Sequence, residues 1–542
     1  MHGTRLTEPE TTAVSMMRQH TAFLCLLGVT AVAWFTILLA SQTHVHSDEA
    51  IIGLMGKHIL EGRYLPLYMY GQPYNAGAAW EAYLAAIAFA LFGIGVIPLK
   101  SCILLLSLIC LILFYAMCRF IYDTATALLG TTAFALCPTL LKWHFQVRGY
   151  SWYFLSIPIL TTLFFAVRSS PGSKPKLFFF FGLAAGLSIW SLELAIPLVA
   201  ALSMLLIISG NRSLKNAVLG AVGFVLGYAP AIAFNFTHHF ANWRYLAVDR
   251  PGGGLATLFQ LSTCVRIFFH EIPKFFGPDT VLWYYPEEPL AGWMFYAISV
   301  LAVARAVWLL LKSPLNTLRG LHGDVLGAPQ KDVVLLILAL ACFLPYLTMR
   351  AGVPSYFFGG CFFLSALTGR LLKCWLASSA MPYRLAGTGV LAAILIVGIA
   401  TMVKVGRQNQ IETLTWCDDA KTFCMTRIPA TDIEGVEAHL RRNHVTSVWT
   451  TISFVYPLLF ESGESLAVSN SIFEYPHRVY PRAIPWREPS RDLQAVFVLE
   501  KHSPFRAGLQ AEYLRATGNP PAIAEYAQLA VIEAPCRDAF FK

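Results

Sequence analysis

AWEAYLAAIAFALF, residues 79–92, is apolar enough to enter a bilayer, yet it is short, carries Glu81, and stops at Gly93-Ile94-Gly95. Whether this segment spans decides the direction of every helix after it, and loop charge supplies the test. If it lies flat on the outer surface, then Arg119, Arg168/Lys174/Lys176, Arg212/Lys215, Lys312/Arg319/Lys331 and Arg370/Lys373/Arg384 all fall inside, as the positive-inside rule prefers. If it spans, all of them fall outside. The segment is therefore read as interfacial.

Working outward, apolar runs of helical length lie at 21–40, 97–118, 124–141, 151–167, 177–192, 194–209, 217–236, 290–311, 333–349, 355–373 and 385–404, which predicts about eleven transmembrane helices. The first run follows a polar head with Arg5 and Arg18. It is longer than a signal-peptide core, so it reads as a retained helix running from cytoplasm to outside. With 56% of its 542 residues hydrophobic and 13% charged, the chain is an integral membrane protein. The net charge of +9 does not indicate nucleic acid, because the Lys and Arg residues are scattered between apolar runs as topogenic charges are. Cys25, Cys102, Cys110, Cys118, Cys137, Cys342 and Cys361 sit inside apolar runs, where cysteine behaves as a small hydrophobe.

On this topology residues 42–96 form one long external loop with two amphipathic segments, about 48–60 and 78–92. The other external pieces are 142–150, the edge at Glu193, the loop 237–289, the link Arg350–Pro354, and the tail. In the tail, GVEAHLRRNHVTSVWTT and DLQAVFVLE alternate helix-like and strand-like patterns. The expected fold is thus an all-α polytopic membrane domain over 1–404 and a small external α/β domain over 405–542. Cys417 and Cys424 are either a disulfide of that domain or two unpaired thiols, with Cys536 a further possible partner. The sequence has no Walker loop, no dinucleotide-type glycine fingerprint and no paired metal-ligand spacing, which argues against ATP-driven transport. The apolar runs are clean at their centres, whereas a secondary transporter is expected to carry acids or broken helices at mid-bilayer.

The chemistry gathers on the outer side. Asp48 and Glu49 follow the first span closely; one reading is a helix cap, with Ser47-Asp48-Glu49 preceding AIIGLMGKHIL. The functional reading rests on their company. Lys57, Arg63, Lys100, Arg148 and Arg350 supply positive charge, and Tyr68, Tyr70, Tyr74, Trp80, Trp143, Tyr150, Trp152 and Tyr356 supply rings. Carboxylates, cations and aromatic faces suit a carbohydrate-phosphate ligand. His270-Glu271 reads either as a site edge or as part of an interfacial helix.

The order of a span, DEA, a short helix, LEGRYLPLYMYGQPY, WEAYLAAIAFALFG and the Arg148-Gly149-Tyr150 triplet resembles the C-type glycosyltransferases that use polyprenyl-phosphate sugars. The closer resemblance is to bacterial relatives of the dolichyl-phosphate-mannose protein mannosyltransferases and the lipid A aminoarabinose transferase. It implies that Asp48 is the base that takes a proton from an acceptor hydroxyl, with Glu49 as its helper. A lipid phosphate is already a good leaving group, so this is the inverting half of glycosidase logic without a general acid. The leaving phosphate needs cations: Lys100 and Arg350 suit it, each equally readable as a snorkelling side chain at a helix end. Lys57, Arg63, Tyr74, Glu81, Arg148 and Tyr150 are further candidates for substrate binding. Many relatives carry a second acid in the loop after the third span; this chain has His144, Gln146 and Arg148 there, leaving Glu49, Glu81 or Glu193 to substitute. A divalent metal bridge is accordingly possible but disfavoured, and no other cofactor is indicated. The implied partners are a polyprenyl-phosphate-linked sugar, an envelope acceptor (lipid, glycan or protein) and the bilayer of the bacterial inner membrane, with the site periplasmic. The alternative is a non-catalytic lipid or glycan flippase or a polysaccharide-assembly protein.

Overall fold

The computed structural model describes residues 9–169, 174–209, 213–249, 265, 269, 272–276, 290–321, 326–348, 357–416, 423–470, 480–481, 484–485 and 495–533. Each of the eleven apolar runs is helical within these residues. In chain order the helices used below are α1 (Pro9–Ser41), α2 (Ser47–Leu60), α3 (Gly77–Phe92), α4 (Val96–Ile121), α5 (Thr124–Ala135), α6 (Pro138–Trp143), α7 (Ser151–Arg168), α8 (Pro175–Ser191), α9 (Ile196–Ile208), α10 (Leu214–Thr237), α11 (Leu290–Lys312), α12 (Ala328–Thr348), α13 (Phe358–Leu376) and α14 (Met381–Arg407). Six of them (α1, α4, α7, α10, α11 and α14) are long and apolar enough to cross a membrane. The run 124–141 is interrupted: Pro138 has no amide hydrogen to continue the ladder, so α5 ends at Ala135 and α6 starts anew at the proline.

α14 leads at once into an α/β unit. Strands β1 (Gln410–Trp416) and β2 (Phe423–Pro429) form an antiparallel hairpin. β3 (Ser447–Thr450), β4 (Ala467–Asn470), β5 (Ala495–Glu500), β6 (Ala522–Glu525) and β7 (Leu529–Glu533) form a mixed sheet in the order β4-β3-β5-β7-β6, parallel across β4-β3-β5 and antiparallel beyond. Helices α15 (Ala430–Arg442), α16 (Ile452–Glu461) and α17 (Pro504–Thr517) complete it. Cys424 lies in β2; Cys417 and Cys536 lie outside the described residues.

The two amphipathic segments of the first loop are α2 and α3, but α2 does not lie on a lipid surface. Every residue from Glu49 to His58 is buried, because α3 covers one side and α16 the other. Ile51, Leu54 and Met55 share one core with Phe454, Tyr456, Leu459 and Phe460, and each such large side chain contributes roughly 1.5–3 kcal/mol when fully buried. The approach is close enough to fix a residue type: a Cβ on Gly53 would stand 2.6 Å from the Phe460 ring.

Polar contacts pin both ends of α2 to the same unit. Ahead of the helix, His44 faces Glu434 at 3.5 Å and Glu461 at 3.6 Å, and Glu461 also bonds the backbone of Val45. Burial, with Glu461 beside it, raises the pKa of the Glu437 carboxyl. At the far end Glu464 accepts hydrogen bonds from His58 Nε2 (3.2 Å), Tyr480 Oη (2.8 Å) and Lys57 Nζ, while Lys57 also reaches Gly463 O and Arg63 stands 3.7 Å away. Burial alone would raise the Glu464 pKa. The His58, Lys57 and Tyr480 bonds outweigh it and hold the carboxyl at about 2.

Where α1 meets α6, the His144 ring stacks on Trp34 at 4.1 Å with both ring nitrogens buried and without a hydrogen-bond partner. Burial pushes its pKa down to about 3, so the ring is neutral at ordinary pH and behaves as core.

Two outcomes follow from this packing. Because the folded Glu464 pKa lies below its ordinary 4.5, its contribution is complete above about 4.5 and is lost as pH falls toward 2. Glu464→Gln should lower stability at pH 7 by on the order of 3 kcal/mol and flatten the acid limb. Thermal unfolding in detergent at pH 7 and pH 3 checks this, and equal melting of variant and wild type at pH 7 counts against it. His144→Phe keeps a ring against Trp34 and removes two unpaired buried nitrogens, so its melting temperature should equal or exceed that of wild type.

Candidate active site

α2 opens with a capping box whose cap is His46, not the Ser47-Asp48-Glu49 triplet expected. His46 Nδ1 accepts from the Asp48 amide (3.1 Å), and the Glu49 carboxylate accepts from the His46 amide (3.1 Å). This geometry turns Glu49 inward and Asp48 outward. Glu49 is 2% exposed and its other oxygen accepts from the Val147 amide at 3.0 Å, while Lys100 Nζ, itself buried in the first turns of α4, stands 3.3 Å away. Glu49 thus ties α2, α4 and the 144–150 loop together. Removing one partner of so deeply buried an ion pair costs about 3–5 kcal/mol, since the other charge is left uncompensated.

Asp48 is free of that network. Its side chain is 48% exposed, and Oδ2 lies 3.4 Å from Nη1 of Arg148, which is buried against the Trp143 ring. Arg148 owes its position to Glu81 beneath it. The Glu81 carboxylate accepts from the Gly149 amide (2.7 Å), the Ser151 amide (3.1 Å) and the Ser151 hydroxyl (2.7 Å), and burial pushes it up to about 7 against those bonds. Gly149, at φ +82°, allows the loop to press onto α3: a Cβ on Gly77 would stand 1.8 Å from the Gly149 carbonyl oxygen.

Between these segments is a small cleft of about 50 Å³. Glu49, Lys100, Gln146 and Arg148 line one side. Gln42, His44, His46 and the α14–β1 junction, Gln408 and Asn409, line the other. Lys100 and Arg148 are therefore brought together at the cleft, and Arg148 also reaches Asp48, which does not itself line it. Several other candidates are not. Lys57 and Arg63 belong to the Glu464 cluster at the far end of α2; Tyr74 stacks on Tyr245 at 4.3 Å; Tyr150 packs edge-on against Trp143 and Phe358. Glu81 holds backbone rather than facing the cleft, and Glu193 sits in a 3-10 turn after α8. Arg350 and the pair His270-Glu271 lie outside the described residues.

Sequence reasoning did not find Gln408 and Asn409, which are brought back to the first loop across the whole membrane domain; no local pattern marks them. Gln146, whose Oε1 is buried without a hydrogen-bond partner, occupies the loop where a second acid is absent. Among the described residues no three His, Cys, Asp or Glu side chains stand together as a metal site.

Residues 79–234 match the model of the family described as dolichyl-phosphate-mannose-protein mannosyltransferase. No curated protein matches the chain in sequence. Among solved structures, ArnT from Cupriavidus metallidurans in the apo state superposes with a TM-score of 0.60 at 12% identity, covering 95% of this chain and 98% of that one. The same protein bound to undecaprenyl phosphate gives a TM-score of 0.59 at 12% identity, with 94% and 98% covered. The chain thus has the ArnT fold along nearly its whole length, and from α3 through most of α10 it carries the sequence pattern of the mannosyltransferase family.

Proposed function

We propose that this protein is a membrane glycosyltransferase that moves a sugar from a polyprenyl-phosphate donor to an acceptor hydroxyl, by inverting displacement with Asp48 as base. The observation that carries the reading is one half-exposed carboxylate, Asp48, 3.4 Å from Arg148, which together with Lys100 lines the adjoining cleft. Undecaprenyl phosphate, bound by the ArnT of like fold, has the chemistry such a cleft suits. Asp48 accepts the acceptor's proton as its oxygen attacks the anomeric carbon; the bond from that carbon to the phosphate oxygen breaks on the opposite face, and the electron pair leaves with the lipid phosphate. Lys100 and Arg148 stabilise the charge that develops there. Gln146 Oε1 offers an acceptor for a sugar hydroxyl. Glu49 acts through position, holding Lys100 and the start of α2, and takes no proton. In the topology read from loop charge the cleft and the α/β domain face outward, and the unit over 405–542 is part of the enzyme.

The test is incorporation of labelled sugar from a polyprenyl-phosphate donor by the purified protein. Asp48→Asn should reduce turnover by on the order of 10²–10⁴ while expression, melting temperature and donor affinity stay near wild type. Near-normal transfer by this variant would refute the base assignment. Arg148→Ala and Lys100→Ala should weaken donor affinity roughly ten- to a hundredfold. The two separate on stability: Lys100→Ala and Glu49→Gln should also melt early, because each breaks the buried pair. Unchanged donor affinity in Arg148→Ala would remove the phosphate role.

A further inference from the structure

A second cavity lies well away from the cleft. α8 and α10 touch backbone to backbone: a Cβ on Gly182 would stand 1.9 Å from the Gly220 carbonyl oxygen. Contact this close leaves small residues where side chains would otherwise fill space. The result is a groove of about 510 Å³ between α8, α9 and α10, floored by Gly182, Ala185, Ala217 and Gly220. Its walls open outward through large apolar groups, with Ile207 65% and Leu214 79% exposed, as befits a surface bathed in acyl chains.

The groove has one polar end, formed by Ser213 and the fully buried Asn216. That end lies at the start of α8 and of α10, where Lys174, Lys176 and Lys215 are exposed. Lys174 caps α8 one turn ahead of Phe178, and Lys215 stands between Leu214 and Asn216; Phe178, Leu214 and Asn216 line the groove. Between Arg168 and Lys215 the only acid is Glu193, at the other end of α8. An apolar groove with exposed cations beside one end suits a molecule with an acyl chain and a negative head.

That molecule is not the donor of the proposed reaction. The far end of α8 carries Trp190, 5.8 Å from Trp80 of α3, and so marks the side of the cleft; the lysines are at the near end, roughly 24 Å away along the helix. A lipid phosphate held by Lys100 and Arg148 cannot also be the head held here. We propose that the groove is a binding site for an anionic glycerophospholipid, with an acyl chain along α8 and α10 and the headgroup against Lys174, Lys176 and Lys215.

Native mass spectrometry of the full chain in detergent, titrated with dioleoyl phosphatidylglycerol or dioleoyl phosphatidylcholine, tests this. Phosphatidylglycerol should be retained at least tenfold more tightly, and the triple variant Lys174→Ala, Lys176→Ala, Lys215→Ala should bind both lipids alike. Ala217→Phe, which fills the groove, should lose both; the lysine variant, altered only at exposed positions, carries the test if Ala217→Phe fails to fold. Equal retention of the two lipids by the wild type, or unchanged preference in the lysine variant, would overturn the proposal. So would one-for-one displacement of phosphatidylglycerol by undecaprenyl phosphate, which would make the groove part of the donor site.

Discussion

The buried pair of Glu49 and Lys100, 3.3 Å apart, is the contact on which the site depends. An isolated carboxylate at 2% exposure would be very costly. Here it is matched by a cation from α4 and by two backbone amides, those of His46 and Val147. Satisfying all of its oxygens draws three separate parts of the chain to one point. The adjacent residue, Asp48, is thereby turned away from the core and toward Arg148. One acid is consumed by structure while its neighbour stays half-exposed.

The α/β unit is a brace for this arrangement. Its helix Ile452–Glu461 lies along α2, and the residues at and just beyond its end grip the chain on both sides, Glu461 at His44 and Val45 and Glu464 at Lys57 and His58. The junction before its first strand supplies Gln408 and Asn409 to the cleft wall. A helix buried over ten consecutive residues has little freedom to tilt, so Asp48 is held by packing from both domains. The separation of charge along α8 has a similar logic: cations gather at the lysine end, while Glu193 and the stacked tryptophans mark the other.

The sequence alone determined the membrane class, the positions of the helices and the presence of an α/β tail, because hydrophobic run length and charge placement are local quantities fixed by the bilayer. Its candidates included Asp48, Glu49, Lys100 and Arg148, which the structure brings close together through the Glu49–Lys100 and Asp48–Arg148 pairs. The sequence could not rank them. Asp48 and Glu49 are adjacent and chemically alike, and only the burial of Glu49 against Lys100 distinguishes the anchored carboxylate from the half-exposed one. Arg63 pairs with nearby Glu61 at 2.9 Å, whereas Lys57 and Glu81, which looked equally available, are each committed to a partner that is distant in sequence: Glu464 for the first, the Gly149–Ser151 backbone for the second. Those partners, like Gln408 and Asn409, are chosen by how helices and domains pack. Side-chain pairing across hundreds of residues leaves no periodic trace in the chain, and so the tertiary structure alone decided which charges hold the fold and which face the cleft.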